Sequence, residues 1–421
     1  MSGRPALARL TPLPGRLIAG GRLLALAACT QPSTPAAPVP GPLVLGTLIP
    51  RTGDLAHLGP AEDAGVQLAV KDIDAGGGVL GLPVTLVDGD SGDAFSSVAS
   101  QTVDRLIGRK VTAVVGATGS AVTLTVVDKV VGAGIAEVSP GDASAQLAGY
   151  PDRGLYFRIV PPDTFEAAAL ASTIFAAGHR TLSVLAVRDP SAAGYAAALA
   201  ADFRKAGGRV LSSVEYDGQA TDLSGPAGQM AVSGGSADVV IGMGETSGIV
   251  LDLVKANAGP DVVPLYVTDL APWATLAQGL TAAQSAGITG IRPGAAADPA
   301  FLARLAAQAP DLKDVGYAAQ SYDATVLIAL AADVARSVRG HDIAAALPGV
   351  TTGRSVCTAY AQCLALVKAG RTIAYAGQAG AVRLDSQGEP MDGTVGVYRF
   401  GVDGKVSPVG TYRSGTFRRA G

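Results

Sequence analysis

Residues 61–88 read AEDAGVQLAVKDIDAGGGVLGLPVTLVD, a helical pattern followed by glycines and then by a strand pattern. Ala64, Leu68 and Ile73 share one face of the helix, and LPVTLVD alternates as a half-buried strand does. Glycine takes the left-handed conformation at little steric cost, so residues 76–78 are predicted to end the helix. The stretch therefore predicts a helix-to-strand connection in an α/β protein.

Two binding interpretations of these glycines and acids fail on spacing. A phosphate-binding glycine turn follows a strand and precedes a helix, and here the order is reversed. A calcium loop that begins at Asp72 or Asp88 needs a bidentate acid at its twelfth position, where Pro83 and Ala99 stand. Both segments are interpreted as helix-to-strand turns.

Composition places the chain among folded proteins with more than one domain. It has 421 residues, of which 48% are hydrophobic and 16% charged, so a disordered chain is excluded. The formal net charge is −3 and basic residues form only short pairs, which excludes a nucleic-acid footprint.

Residues 1–29 have the pattern of an export signal. Four arginines without an acid precede the short apolar run LLALAAC, and residues 26–29 match a bacterial lipobox in which Cys29 receives lipid. Residues 30–42 form a proline-rich linker that spans roughly 40 Å when extended. The alternative is a disordered leader with an accidental Ala-Ala-Cys, which Arg22 favours because it interrupts the apolar run. A lipid anchor on the outer face of the cytoplasmic membrane is expected.

The remaining cysteines, Cys357 and Cys363, form a close pair, which in an exported protein is most simply a disulfide. The three histidines lie far apart in sequence with no carboxylate pattern around them, so neither a metal nor another cofactor is expected. The sequence has no Gly-x-Ser-x-Gly and no other nucleophile–base motif, and enzymatic activity is not predicted.

From residue 43 onward, apolar runs of strand length alternate with amphipathic helical stretches. PLVLGTLIP, LPVTLVDGD, VTAVVGATG and AGIAEVSPG form one series, and TLSVLAVRD, GRVLSSVEYD, ADVVIGMGE and VVPLYVTD form a second. Such alternation predicts parallel sheets covered by helices on both faces. The fold class is therefore α/β, with two doubly wound lobes.

Ligands of open parallel sheets bind at the carboxyl ends of the strands. In the first series, Gly119 and Ser120 follow one strand and residues 141–144 follow another, so this lobe offers neutral donors suited to an anion. In the second series the equivalent positions hold Glu245, Thr246 and Asp269, which include carboxylates suited to a cation. A small zwitterion fits between the two.

These segments together resemble the solute-binding proteins of branched-chain amino acid ABC transporters. The likeness rests on the segment from LVLGTLIP to LPVTLV, on VVGATGSAVT, SPGDAS and YDATVLIALA, and on Asp269 after a strand, and it runs from about Leu43 to Tyr412. The segments SVCTAYAQCLALVKAG and GAVRLDSQGEPMDGTVGVYRFG resemble lipoproteins of this family from high-G+C Gram-positive bacteria. The resemblance implies a type I periplasmic binding fold whose lobes are joined by a three-strand hinge.

The resemblance also implies roles for single residues. Ser120 matches the hydroxyl that receives the ligand's carboxylate, and Asp269 matches the acid that pairs with its ammonium. The other matching positions are Leu58 and Gly59 in the loop that lays an apolar side chain on the ligand, Gly119 beside the serine, Gly141 and Ala143 with main-chain contacts, and Glu245 and Thr246 lining the second lobe.

Three positions depart from the family pattern. Ala143 stands where relatives often have threonine, Ala193 where tyrosine is common, with Tyr195 nearby, and Asp269 is shorter than the usual glutamate. Because of these departures, the resemblance does not predict which side chain the ligand carries.

Each assignment also has a structural alternative. Ser120 is equally suited to a helix N-cap and Asp269 to a solvated turn. Glu245 fits a first-turn acid. Leu58 is as well explained by loop packing, and Tyr317 and Tyr322 on a long helix are more often core than site.

The resemblance divides the mature chain into residues 43–158 plus 291–390 and residues 159–290 plus 391–415. A ligand is expected to be captured between these lobes by hinge closure, in a monomer that delivers it to a membrane ABC permease. Two alternatives remain open. One is a sensor that reports amino acids or amides to a signalling partner, and the other is an α/β enzyme with an unrecognised site.

Overall fold

The first third of the chain builds a parallel sheet, within a computed structural model that describes residues 41–413 and 416–419. The strands are β1 (Val44–Leu48), β2 (Thr85–Val87), β3 (Ala113–Gly116), β4 (Ala136–Ser139) and β5 (Tyr156–Arg158). They pair in the order β2-β1-β3-β4-β5, and all four neighbouring pairs are parallel. Strands β3 and β4 are buried throughout because helices cover both faces of the sheet.

The helices between these strands follow the predicted alternation. They are α1 (Gly59–Ala75), α2 (Val98–Gly108) and α3 (Ser120–Gly132), and a 3₁₀ turn follows at Ala145–Leu147. Helix α1 ends where the glycines predict. The positive φ angles belong to Gly77 (109°) and Gly78 (70°), whereas Gly76 keeps a right-handed helical conformation.

The middle of the chain builds a second sheet by the same alternation. Its strands are β6 (Thr181–Val187), β7 (Arg209–Tyr216), β8 (Ala237–Ile241), β9 (Leu265–Val267) and β10 (Ile288–Pro293). Its helices are α4 (Asp163–Ala176), α5 (Pro190–Lys205), α6 (Ser224–Ala231), α7 (Thr246–Lys255), α8 (Trp273–Leu276) and α9 (Ala282–Ala286).

The chain then returns to pack beside the first sheet, where it forms a separate three-stranded sheet, and finally rejoins the second sheet. The returning elements are α10 (Pro299–Gln308), α11 (Ala318–Ala335), α12 (Gly340–Thr351), β11 (Ser355–Cys357), α13 (Tyr360–Lys368), β12 (Ile373–Gly377) and β13 (Gly380–Ala381). The final strands are β14 (Thr394–Phe400), β15 (Val406–Arg413) and β16 (Thr416–Arg419). They extend the second sheet in antiparallel fashion to the order β16-β15-β14-β10-β9-β8-β6-β7.

Each of the two larger sheets has its own hydrophobic core, and these two cores define two lobes. The first core joins β1, β3 and β4 to α1, α11 and α12. Helices α1 and α11 approach closely, since a Cβ atom at Gly65 would lie 2.2 Å from the Ala318 carbonyl oxygen. The second core joins β6, β8 and β9 to α4 and α5. The two doubly wound lobes of the predicted fold class are confirmed.

Three chain crossings connect the lobes, after β5, after β10 and after β13. The predicted crossing at residues 290–291 falls inside β10, which continues in the second sheet to Pro293. Two of the crossings are tied together by the buried Arg158, whose guanidinium contacts Glu389 at 2.6 Å and donates to the Ser144 carbonyl at 2.8 Å. The three-strand hinge thus carries an internal ion pair.

Two further predictions concern the chain's covalent features. Cys357 and Cys363 are joined by a disulfide, with an S–S distance of 2.12 Å. Cys29, the export signal and residues 30–40 of the linker lie outside the described residues. Within the described part of the chain, no helix combines the length and the apolar character that a membrane crossing requires.

Candidate ligand-binding site

A cavity of about 130 Å³ lies between the lobes, at the carboxyl ends of strands from both sheets. An apolar cavity of roughly 150 Å³ accommodates a molecule the size of benzene, so this space suits a small ligand. From the first lobe it is bordered by the start of α3 and by the loop after β4, and from the second lobe by the loops after β6, β7, β8 and β9. Its position is the one expected for open parallel sheets.

The first-lobe wall is organised by two serine hydroxyls. Ser120, the first residue of α3, accepts hydrogen bonds through its Oγ from the backbone N–H groups of Ala143 (3.2 Å) and Ser144 (3.1 Å). Ser139 Oγ accepts from the N–H groups of Gly141 (3.2 Å) and Asp142 (2.8 Å) and donates to a carbonyl oxygen. The loop after β4 is therefore held against α3 by the protein itself.

What this wall offers a ligand is the N-terminus of α3. The first N–H groups of a helix have no acceptor within the helix, and the helix dipole favours an anion there. The Ser120 hydroxyl accepts two bonds and keeps its own proton for donation. No side chain fits at Gly141, because a Cβ atom there would lie 2.5 Å from Thr118 Cγ2. The wall is suited to a carboxylate.

The second-lobe wall carries Asp269, which follows β9 and is 8% exposed. The phenol of Tyr317 donates a hydrogen bond to its carboxylate. Burial raises the pKa of Asp269 above its ordinary value, and the hydrogen bond from Tyr317 opposes that effect. Tyr317 reaches the acid from just before α11, where its φ is 61°. Tyr317 is buried in a hydrophobic cluster, as its place beside a long helix favours, and it reaches the site only through its hydrogen bond to Asp269.

Two acids in the first turn of α4 accompany Asp269. Asp163 lines the cavity and accepts a hydrogen bond from Ser191 Oγ at 2.6 Å, and burial raises its pKa to about 7. Glu166 is 1% exposed, and neither of its carboxyl oxygens has a partner among the described residues. Burial, together with repulsion from Asp269 and Asp163, raises the pKa of Glu166 well above its usual range.

Sequence reasoning missed both α4 acids because acids are common in the first turn of any helix. The surrounding sequence, PPDTFEAAALA, could have identified them. Apart from these acids the helix is apolar on almost every side, which predicts that the helix and its acids are buried.

Five of the eight predicted contact residues line the cavity: Gly119, Ser120, Gly141, Ala143 and Asp269. Leu58 directly precedes α1 and is buried against Val160 and Tyr317, whereas Leu55 lines the cavity instead. Glu245 accepts hydrogen bonds from the Tyr216 hydroxyl and from the Met243 N–H. Thr246 is fully buried at the start of α7. These three are not brought to the cavity wall.

Two contacts close the mouth of the cavity across the lobes. Gln219 Nε2 donates to Asp54 Oδ2 at 2.9 Å, and His57 Nε2 lies 3.1 Å from the Leu270 carbonyl oxygen. Burial lowers the pKa of His57.

In the part of the chain that the structure describes, no three His, Cys, Asp or Glu side chains are grouped to hold a metal ion.

Comparison with curated proteins gives a distant relative of similar length. A chemotactic signal transduction system substrate-binding protein, BasB of Halobacterium salinarum, is 27% identical over 371 residues, covering 84% of this chain and 86% of the relative.

Among solved structures, the branched-chain amino acid transporter substrate-binding protein LivJ from Streptococcus pneumoniae, in complex with isoleucine, superposes with a TM-score of 0.69. It is 23% identical and covers 87% of this chain and 98% of its own. A solute-binding protein from R. palustris in complex with 4-hydroxybenzoate gives a TM-score of 0.72 at 16% identity, with 89% and 98% covered. At these identities the likeness establishes the fold.

The sequence model that describes periplasmic binding proteins matches residues 42–365, which include the first sheet, strands β6–β10 of the second sheet and all the cavity-lining residues. The chain belongs to the periplasmic binding protein family.

Proposed function

We propose that this protein is an extracytoplasmic solute-binding protein that captures an amino acid or a related small zwitterion between its lobes. The observation that carries the proposal is the pairing of opposite chemistries on one cavity. The N-terminus of α3 with Ser120 faces it from the first lobe, and the buried Asp269 faces it from the second.

In the proposed complex the ligand's carboxylate accepts hydrogen bonds from Ser120 and the first N–H groups of α3. Its ammonium pairs with Asp269, whose hydrogen bond from Tyr317 fixes the carboxylate in place. Gly119, Gly141 and Ala143 line the remaining surface. The two contacts require both lobes, so ligand binding and hinge closure are coupled.

The side chains around the cavity support binding of the ligand without a chemical reaction. Ser120 and Ser191 are the cavity-lining serines of the described chain, and no histidine from that part of the chain lines the cavity to serve as their base. The solved proteins of the same fold are named as binding proteins. Turnover of a bound solute by the purified protein would contradict this part of the proposal.

Delivery to an ABC permease is the proposed purpose of capture, with the protein anchored as a monomer on the outer face of the cytoplasmic membrane through lipid on Cys29. Replacing Cys29 with alanine should release the protein from the membrane fraction. Mass spectrometry of the Cys29 peptide from the wild-type protein should show the attached acyl chains. An unmodified peptide from correctly exported protein would rule out the anchor.

A sensing role is the second candidate, because BasB of a chemotactic signal transduction system matches along 84% of this chain. Deleting the gene separates the two roles. Loss of uptake of the labelled ligand indicates transport, whereas normal uptake with loss of the behavioural or transcriptional response to the ligand indicates sensing.

The binding site itself is tested with variants of Ser120 and Asp269. Protein unfolded and refolded to remove co-purified ligand is screened by thermal shift against amino acids, amides and short amines, and hits are titrated by calorimetry. A ligand at about a thousand times its Kd should stabilise the protein by about 4 kcal/mol.

At the same ligand concentration, Asp269→Ala should remove most of this stabilisation, and Ser120→Ala should reduce it by about 1.4 kcal/mol. Two matched variants should keep it: Ser97→Ala, at an exposed helix start in the first lobe, and Asp238→Asn, a buried acid in β8 of the second sheet away from the cavity. A hit whose thermal shift is unchanged in both site variants would refute the proposed contacts.

A further inference from the structure

The cavity carries more acidic groups than one ammonium neutralises. The carboxylates on its wall belong to Asp54, Asp93, Asp163, Asp189, Asp217 and Asp269. Arg188 is the cavity-lining cation within the described residues. A zwitterion has no net charge. Its binding at Asp269 therefore leaves the excess negative charge of the cavity wall unchanged.

The nearest buried arginines are already committed to other acids. Arg292 contacts Asp314 at 2.7 Å and stacks over the ring of Trp273, with 3.7 Å from its guanidinium carbon to the ring centroid. Arg158 contacts Glu389 at 2.6 Å. Arg158 and Arg292 favour the ionised forms of Asp163 and Asp269 through space, but among the described residues neither guanidinium hydrogen bonds to an acid of α4.

Two buried polar side chains in this region, Tyr195 and Glu166, have no hydrogen-bond partner among the described residues. Tyr195 lines the cavity and is 4% exposed, and its hydroxyl has no hydrogen-bond partner within the described chain. Glu166, in the same cluster as Asp163, likewise has no partner for either carboxyl oxygen there. Buried polar groups are normally hydrogen bonded, and leaving them unpaired is costly, so the cluster is suited to a partner with several N–H donors.

We infer that the ligand carries a second cationic nitrogen, as a short basic amino acid or a diamine does. Asp163 and Tyr195 on the cavity wall form its binding subsite, and the buried Glu166, which does not line the cavity, contributes through its charge. The first ammonium pairs with Asp269 as in the proposed function, on which this inference rests. The second nitrogen reaches the α4 cluster and supplies the N–H donors that Tyr195 and Asp163 can accept. The modest cavity favours a short chain between the two nitrogens.

Matched ligand pairs test the second nitrogen directly. The refolded full-length protein is titrated by calorimetry with ornithine against norvaline and with lysine against norleucine, pairs that differ by one terminal amine. The basic member should bind at least 100-fold more tightly. 1,4-Diaminobutane, which lacks the carboxylate, distinguishes a diamine site from a basic amino acid site by binding more tightly or more weakly than ornithine.

The subsite is tested with Glu166→Gln and Asp163→Asn, each of which should reduce the preference for ornithine over norvaline by at least tenfold. Glu137→Gln is the matched control, because Glu137 is also fully buried with two unpartnered oxygens but lies in β4 of the first lobe. It should leave the preference unchanged. Norvaline binding as tightly as ornithine would overturn the inference and keep the proposed function. Failure of every amine and amino acid to bind would overturn both.

Discussion

The two walls of the cavity differ in how far the protein itself satisfies their polar groups. On the first-lobe wall, the N–H groups of the loop after β4 all donate to Ser120 or Ser139. On the second-lobe wall, Asp269 has one phenol as its side-chain donor, and Glu166 has no partner among the described residues. The loop of the first wall is held by the protein itself and leaves the N–H groups at the start of α3 for a ligand, whereas the second wall depends on positive charge from elsewhere.

This difference indicates where binding energy arises. A preorganised wall orients a carboxylate at little cost, but each of its hydrogen bonds exchanges for one with water and contributes modestly. A buried acid without a counter-charge gains far more from a cation, because the attraction acts in a low-dielectric surrounding. We therefore expect the second wall to dominate affinity and the first to set orientation.

The largest expected effect is that of Asp269→Asn. Removing the charge while keeping the shape should weaken binding of an ammonium ligand by about 100-fold or more, about 3 kcal/mol, because the ammonium loses its buried partner. Calorimetric titration beside Asp238→Asn measures the loss. A change of less than threefold would mean that the second wall does not dominate.

Ser120→Ala should have a smaller effect, about tenfold or 1.4 kcal/mol, because one hydrogen bond to the carboxylate is lost while the α3 N–H groups remain. The variant also removes the acceptor for two loop N–H groups, so its folding must be checked by circular dichroism. The comparison of the walls fails if this variant costs more affinity than Asp269→Asn.

The pH dependence of stability should reflect the unsatisfied second wall. The folded-state pKa of Asp163 is raised to about 7, above that of an exposed aspartate, so the folded state holds its proton more tightly than the unfolded state. This contribution to stability is full below about pH 4 and is lost as pH rises toward 7. The melting temperature of ligand-stripped protein should fall over that range.

Asp163→Asn should reduce the fall of the melting temperature between pH 4 and pH 7, since the asparagine side chain does not titrate. Saturation with an ammonium ligand should flatten it too, because the cation favours the ionised acid. Differential scanning calorimetry from pH 4 to pH 8 measures all three slopes. If the melting temperature falls equally steeply with pH in the variant and in the wild-type protein, the effect comes from other buried acids. Asp238 and Asp323 are examples, since their pKa values are also raised to about 7.

The smallest expected effect is that of Gln219→Ala, which removes the contact to Asp54 at the cavity mouth. This hydrogen bond is exposed and competes with water, so ligand affinity should fall by about threefold or less. The dissociation rate, measured by stopped-flow fluorescence, should rise by the same factor. A tenfold loss of affinity would show that the contact between the lobes at the cavity mouth contributes as much to binding as Ser120 does, which contradicts the expected order of effects.

The sequence predicted the alternating strands and helices, and with them the strand ends where Ser120 and Asp269 lie, because periodicity and strand order are local properties. It did not predict contacts between side chains far apart along the chain. Tyr317 reaches Asp269 across 48 residues, and Tyr216 engages Glu245 across 29. Which first-turn acid is buried, as Glu166 is, depends on how helices pack and not on the pattern of one helix.

The most direct test of the central claim is titration of the ligand-stripped protein with its best amine ligand in two buffers of different ionisation enthalpy. If an ammonium binds the buried acids of the second wall, the acids must ionise, and protons should be released on binding at pH 6 to 7. Asp163→Asn should reduce that release, because burial raises the pKa of Asp163 to about 7. Tight binding of an uncharged or purely anionic solute such as 4-hydroxybenzoate, with no amine bound, would contradict the account.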